Sequence, residues 1–170
     1  MKEVCDAIKN FILTKLGPVL EELETEENPF PVPAEENVIF GTVDITRNEA
    51  KVLAAIVPDR EREDSGDLGE GVIESNAVVC FAFRGLPYGK LMERMDGYAE
   101  AFRMALRTDG SLCGRVLDAS AGETSYFPDA GPTHGTVTVA EIEVTVRTNE
   151  RLADGADPFG GQEETHDWNG

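Results

Sequence analysis

The stretch Thr136–Arg147, TVTVAEIEVTVR, alternates apolar and polar side chains and is rich in Val and Thr. Successive side chains on a strand point to opposite faces, so this pattern demands a sheet with one buried face. The chain must then supply partner strands and a layer to cover that face. The phase slips, from Val137 and Val139 to Ile142, Val144 and Val146. A bulge or bend near Ala140 is the expected way to keep both sets on one side.

Partners are present. Val38–Ile45 (VIFGTVDI) reads as a strand, followed by a polar turn at Thr46-Arg47-Asn48. Val52–Val57 and Ala77–Phe83 are short continuous apolar runs, the pattern of buried strands. Pro58 is expected to end the first run. Residues 59–71, DREREDSGDLGEG, are polar and contain three glycines, so they are expected to form a long exposed hairpin loop. Arg115–Ser120 and Thr124–Phe127 read as strand pieces around Gly122, and Pro128–Gly135 as a loop.

Two helices can cover the sheet. Val4, Ile8, Phe11, Ile12 and Leu16 form one amphipathic stripe, which Gly17-Pro18 is expected to break or kink. Pro18 can then open a further turn carrying Val19, Leu20 and Leu23. Leu91, Met95, Ala99, Phe102 and Leu106 form a second stripe with a stop at Asp109-Gly110. Gly97 inside that helix costs about 1 kcal/mol against Ala; plain tolerance or close packing on a neighbour accounts for it. Residues 21–36 hold seven acids, no base and three prolines, the composition of an exposed connector. The expected fold is α+β: a mainly antiparallel sheet with two amphipathic helices packed on one face. Residues 1–148 make a single domain and 149–170 a polar C-terminal tail.

Charge narrows the function. The 170 residues carry 33 acids against 15 bases, a net −18. Gripping nucleic acid by neutralising phosphates needs a Lys/Arg surface, and anionic membranes repel such a chain. No apolar run approaches a membrane span, and the N-terminus lacks a signal-peptide pattern, so a soluble intracellular protein is expected. Cys5, Cys80 and Cys113 are scattered and odd in number, the usage of reduced, buried thiols.

The motifs of catalysis are not met. Ser111 in GSLCG is not a nucleophile elbow, because Gly110 is adjacent to it. Cys113 has no histidine near it in sequence, and His134 and His166 have neither metal nor triad spacing. Gly66, Gly69 and Gly71 miss the dinucleotide spacing. Asp64, Asp67 and Glu70, like Asp154 and Asp157, fail the calcium-loop pattern and read as solvated acids. No catalytic, cofactor or metal residues are expected.

The order of elements resembles the tail terminator (tail completion) proteins of long-tailed bacteriophages. The segments that carry the likeness are KEVCDAIKNFILTKL, VIFGTVDI leading into VLAAIVP, the loop DREREDSGDLGEG, the strand AVVCFAFRG, the helix YGKLMERMDGYAEAFRMAL and the last strand TVTVAEIEVTVRT. The likeness covers about residues 1–148 and is one of pattern and element order. It implies a virion protein, assembled in the host cytoplasm, that forms a homo-oligomeric ring, typically of six, without catalytic residues. Such a ring caps the tail tube and meets the head connector or other neck proteins, while DNA passes through its channel without specific binding. On this reading Arg60, Arg62, Asp64, Asp67 and Glu70 belong to an intersubunit or tube interface, and Phe159 and Trp168 to tail contacts. The rival reading from the same acidity is a DNA mimic, or another binding protein, that inhibits a DNA-processing enzyme.

Overall fold

A computed structural model of the chain describes residues 1–26, 29–41, 51–63, 71–84, 88–127 and 137–149. The N-terminal stripe forms α1 (Lys2–Phe11), which passes through a π-helical turn at Ile12–Leu16 into α2 (Gly17–Leu23). Gly17-Pro18 therefore does not break the helix, while the further turn carrying Val19, Leu20 and Leu23 forms as expected, with Pro18 in its first turn. Pro18 has no N–H to donate and its ring crowds the carbonyl one turn earlier; the widened turn before it takes up both effects. Val4, Ile8, Phe11, Ile12, Leu16 and Leu20 all point inward and are buried.

Five strands follow the connector and a 3-10 turn at Glu35–Asn37: β1 (Val38–Phe40), β2 (Val52–Glu63), β3 (Val72–Arg84), β4 (Asp118–Phe127) and β5 (Val137–Asn149). Helix α3 (Tyr88–Thr108) lies between β3 and β4 in sequence. The sheet order is β1-β2-β3-β5-β4, with β1 parallel to β2 and every other pair antiparallel. Helix α1 packs on β1 and β2, and α3 on β3, β5 and β4, so both helices cover the same face. The α+β layout expected from the sequence is the layout observed.

Between the layers sits an aromatic cluster. Tyr98 packs on Phe83 at 4.8 Å and on Phe81 and Phe30 at 5.5 Å between ring centroids. Phe102 meets Phe11 and Phe81 edge-on at 6.0 Å. Such rings supply large buried areas and prefer these tilted geometries.

The acidic connector is anchored rather than simply exposed. Phe30 is buried against α3, where a Cβ on Gly97 would lie 2.3 Å from the Phe30 ring. Close packing is thus the reason for Gly97. Arg94 Nη2 donates to the Pro29 carbonyl at 2.6 Å, and the Tyr98 hydroxyl donates to the Pro31 carbonyl.

Three strand boundaries differ from expectation. Pro58 does not end β2, which runs on to Glu63, and β3 begins at Val72 rather than Ala77. The proline is tolerated because, among the described residues, β1 pairs only with Ala54–Ile56 and no strand pairs with the outer side of Pro58, which lies beside a bulge. Strand β4 is continuous through Gly122, with its irregularity between Ala121 and Thr124. Strand β5 has no bulge at Ala140: its pairing with β3 is unbroken from Val137 to Asn149. The phase slip has another cause. Val137 and Val139 face away from the helices, in a second cluster with Leu53, Ala55, Cys80 and Ala82. Ile142, Val144 and Val146 join the main core. Residues 42–48 and 149–170 were expected to form a strand end, a turn and the polar tail; apart from Asn149, which closes β5, they lie outside the described residues.

Gly97→Ala should lower stability by about 1–3 kcal/mol through overpacking, although alanine is the better helix former by about 1 kcal/mol. In a Phe30→Ala background that cost should vanish. Urea unfolding of the four variants in a double-mutant cycle checks the coupling.

Candidate interaction surface

Past Pro58, β2, β3 and β5 continue as an antiparallel arm beside the start of α1. The arm carries a bulge: Pro58 pairs with Ala77 and Arg60 with Asn76, so Asp59 is the extra residue. This flips the alternation. Before it, Val52, Ala54 and Ile56 face the helices; after it, Glu61 does, paired with Ser75. Arg60 and Arg62 consequently lie on the outer face. The Glu61 carboxylate meets the N-terminal amine of Met1 at 2.9 Å, a contact that ties the arm to the start of α1.

On the outer face, charged residues form a row across four strands. Arg62 pairs with Glu74, Glu74 with Arg147, and Arg147 with Asp118. The signs alternate from one edge of the sheet to the other. Arg147 Nε lies 3.6 Å from Glu74 Oε2. In the next row Thr145 donates to Asn76 Oδ1 at 3.0 Å. Cross-strand pairs of opposite sign each contribute a few tenths of a kcal/mol and set register more than stability.

Of the residues singled out from the sequence, Arg60 and Arg62 are brought together on this face and are exposed. Asp64, Asp67 and Glu70 lie outside the described residues, as do Phe159 and Trp168. The sequence reasoning passed over Glu74, Arg147 and Asp118, which complete the row. A signal was present: DRERE alternates in sign with period two, the strand period written in charges rather than in apolar residues.

The opposite edge of the sheet is β4. Its four residues Asp118–Ala121 form one wall of a groove of about 430 Å³, with Arg103, Leu106, Arg107 and Gly110 as the other wall. Arg103 Nη2 donates to the Gly122 carbonyl at 3.1 Å, and Arg107 Nη1 approaches Glu100 Oε1 at 3.4 Å. Further along, Tyr126 and Phe127 are large exposed side chains; the Tyr126 hydroxyl donates to Asp96 Oδ1 at 3.1 Å. Phe40 is the exposed side chain at the other edge, beneath Lys9 Nζ at 5.6 Å from the ring centroid.

The GSLCG segment between α3 and β4 is a locked turn. Leu112, Cys113 and Gly114 all have positive φ, at 49°, 64° and 76°, a conformation that costs the two non-glycine residues energy. Asp109 holds it. Its Oδ1 accepts from Ser111 Oγ at 2.6 Å and its Oδ2 from Cys113 N at 3.2 Å. The Ser111 hydroxyl lowers the Asp109 pKa most, with help from Cys113 N–H and from Lys15, 3.5 Å away on the π-helical turn. Ser111 and Cys113 thus serve the backbone. Among the described residues, no three His, Cys, Asp or Glu side chains gather as a metal site, and no helix is long and apolar enough to cross a membrane.

Compared with known proteins, the chain matches no family model and no curated protein.

Burial pushes the Cys80 thiol from its ordinary 9.0 up to about 12, with Glu141 on the neighbouring strand adding to the shift. Burial also raises the Tyr98 hydroxyl, against the pull of Arg94. Both groups hold protons in the folded state that the unfolded chain has released, so stability falls as pH rises from about 9 towards 12. Urea unfolding across that range should show the decline, and Cys80→Ala should make it shallower, leaving the part that Tyr98 contributes. A thiol reagent at pH 8 should modify half-buried Cys113 first, leaving Cys5 and Cys80 protected until the chain unfolds.

Proposed function

We propose that this protein is a structural subunit of the neck of a long-tailed bacteriophage: a tail terminator that forms a ring, caps the tail tube and joins it to the head connector. The observation that carries the reading is an α+β subunit whose sheet ends, among the described residues, in two different unpaired edges, the β2 arm on one side and β4 on the other. Unlike edges on opposite sides of one subunit favour head-to-tail association, which closes into a ring when the rotation per subunit allows it. The order of helix, strands, long hairpin, helix and last strand supports the same reading. The role needs no catalytic residue, cofactor or membrane.

Charge has a place in this role. Six copies of a chain at −18 carry −108. A negative channel wall lets DNA slide, because like charge prevents phosphate contacts. The DNA-mimic reading requires rows of one sign. The alternation of Arg62, Glu74, Arg147 and Asp118 across the outer face weighs against it.

The purified protein should run in light scattering as a particle near the mass of six 18.5 kDa copies, about 111 kDa, and show a central hole in negative-stain images. It should not bind duplex DNA at physiological salt. A monomer that inhibits a nuclease or restriction enzyme would sink the ring reading and favour the mimic.

A further inference from the structure

We infer that the open edge of β4 at Asp118–Ala121 receives the β2 arm of a second copy of this chain, strand to strand and antiparallel. The inference rests on the ring reading and names the surface that builds the ring.

Three observations point to this pairing. The first is polarity. Strands β2, β3, β5 and β4 alternate in direction across the sheet, so β4 runs opposite to β2. When two copies stand side by side with their helices on the same face, β4 of one meets the arm of the next in antiparallel orientation. Antiparallel pairing suits short strands. Among the described residues, no strand pairs with the outer edge of the arm after Ile56 or with the outer edge of β4.

The second observation is space. The groove of about 430 Å³ runs along the β4 edge at Asp118–Ala121, on the side of α3. An added strand seats its backbone against β4 and its helix-side residues in the groove. The bulge between Ala121 and Thr124 bends the edge away and limits the pairing to this short stretch.

The third is charge on both faces of the added strand. On the helix side the arm carries Glu61, half-exposed beside the Met1 amine of its own chain, and the groove is lined by Arg103 and Arg107, which bond Gly122 O and Glu100. On the outer face the arm presents Arg60 and Arg62, both exposed, and by register the row across the sheet ends at the edge in exposed Asp118, whose Oδ1 lies beside Gly110. With Arg62 opposite Asp118, Arg60 falls opposite Ser120. The alternation of Arg62, Glu74, Arg147 and Asp118 then continues unbroken into the next subunit. Two like edges meeting across a two-fold axis would instead set Asp118 near its own copy and gain nothing from the arm. Complementary edge charges of this kind choose partner and register.

Cysteine cross-linking tests the register in the full-length chain. On a Cys113→Ser background, the double variant Arg62→Cys/Asp118→Cys, oxidised mildly, should give a ladder of multiples of 18.5 kDa on a non-reducing gel. An equal mixture of the two single variants should give only mixed dimers. Charge reversal is the second arm. Arg62→Glu and Asp118→Arg should each raise the concentration needed for assembly by about tenfold, equivalent to ~1.4 kcal/mol; the two together should restore it. Self-linking of Asp118→Cys alone, no ladder from the double variant, or wild-type assembly by both charge reversals overturns the interface. If wild-type rings are nevertheless seen by microscopy, the ring reading survives and only this interface fails. A wild type that stays monomeric at high micromolar concentration removes both.

Discussion

A tyrosine hydroxyl in a hydrophobic core needs an acceptor, because leaving a buried polar group unpaired costs about 1–3 kcal/mol. Tyr98 is fully buried at the centre of the aromatic cluster, and its hydroxyl finds the Pro31 carbonyl. That one requirement sets the course of the connector. It pulls Phe30 onto Gly97, brings Pro29 to Arg94, and so delivers the chain to β1 at the far edge of the sheet. A segment with acids and prolines has little reason of its own to adopt one path. The core supplies that reason from the other side.

The same division between core and surface organises the charge. The main core is a continuous block of aliphatic and aromatic side chains between the helices and the inner face of the sheet. The acids lie outside it, and on the arm they are interleaved with arginines. Sign therefore matters locally more than the net −18 suggests. A row that alternates from edge to edge repels little and specifies much, since a slip of one residue would turn one member of each pair to the opposite face and lose the pairing.

Helices and strands were legible where their period was strong. The stripes through Val4–Leu16 and Leu91–Leu106, and the alternation of the last strand, are all present as expected. What misled was local chemistry that tertiary context overrode. Pro18 reads as a break, yet a π-helical turn accommodates it. Pro58 reads as a stop, yet it lies where, among the described residues, no neighbour strand needs its N–H. The polar run after it reads as loop because burial is the usual mark of a strand, and this arm is a strand with exposed charges. The slip near Ala140 reads as a bulge; instead the sheet has apolar residues on both faces at one end.

Periodicity alone, a property of neighbours along the chain, determined that this protein has amphipathic helices over an antiparallel sheet. The sequence also concentrates the acids in the connector, the 59–74 segment and the tail. Which residues meet across the sheet is a matter of register, and register depends on bulges and pairings between segments far apart in sequence. Only the tertiary structure could place Arg62, Glu74, Arg147 and Asp118 in one row and put Gly97 beneath Phe30. Those are contacts between distant parts of the chain, and no local pattern encodes them.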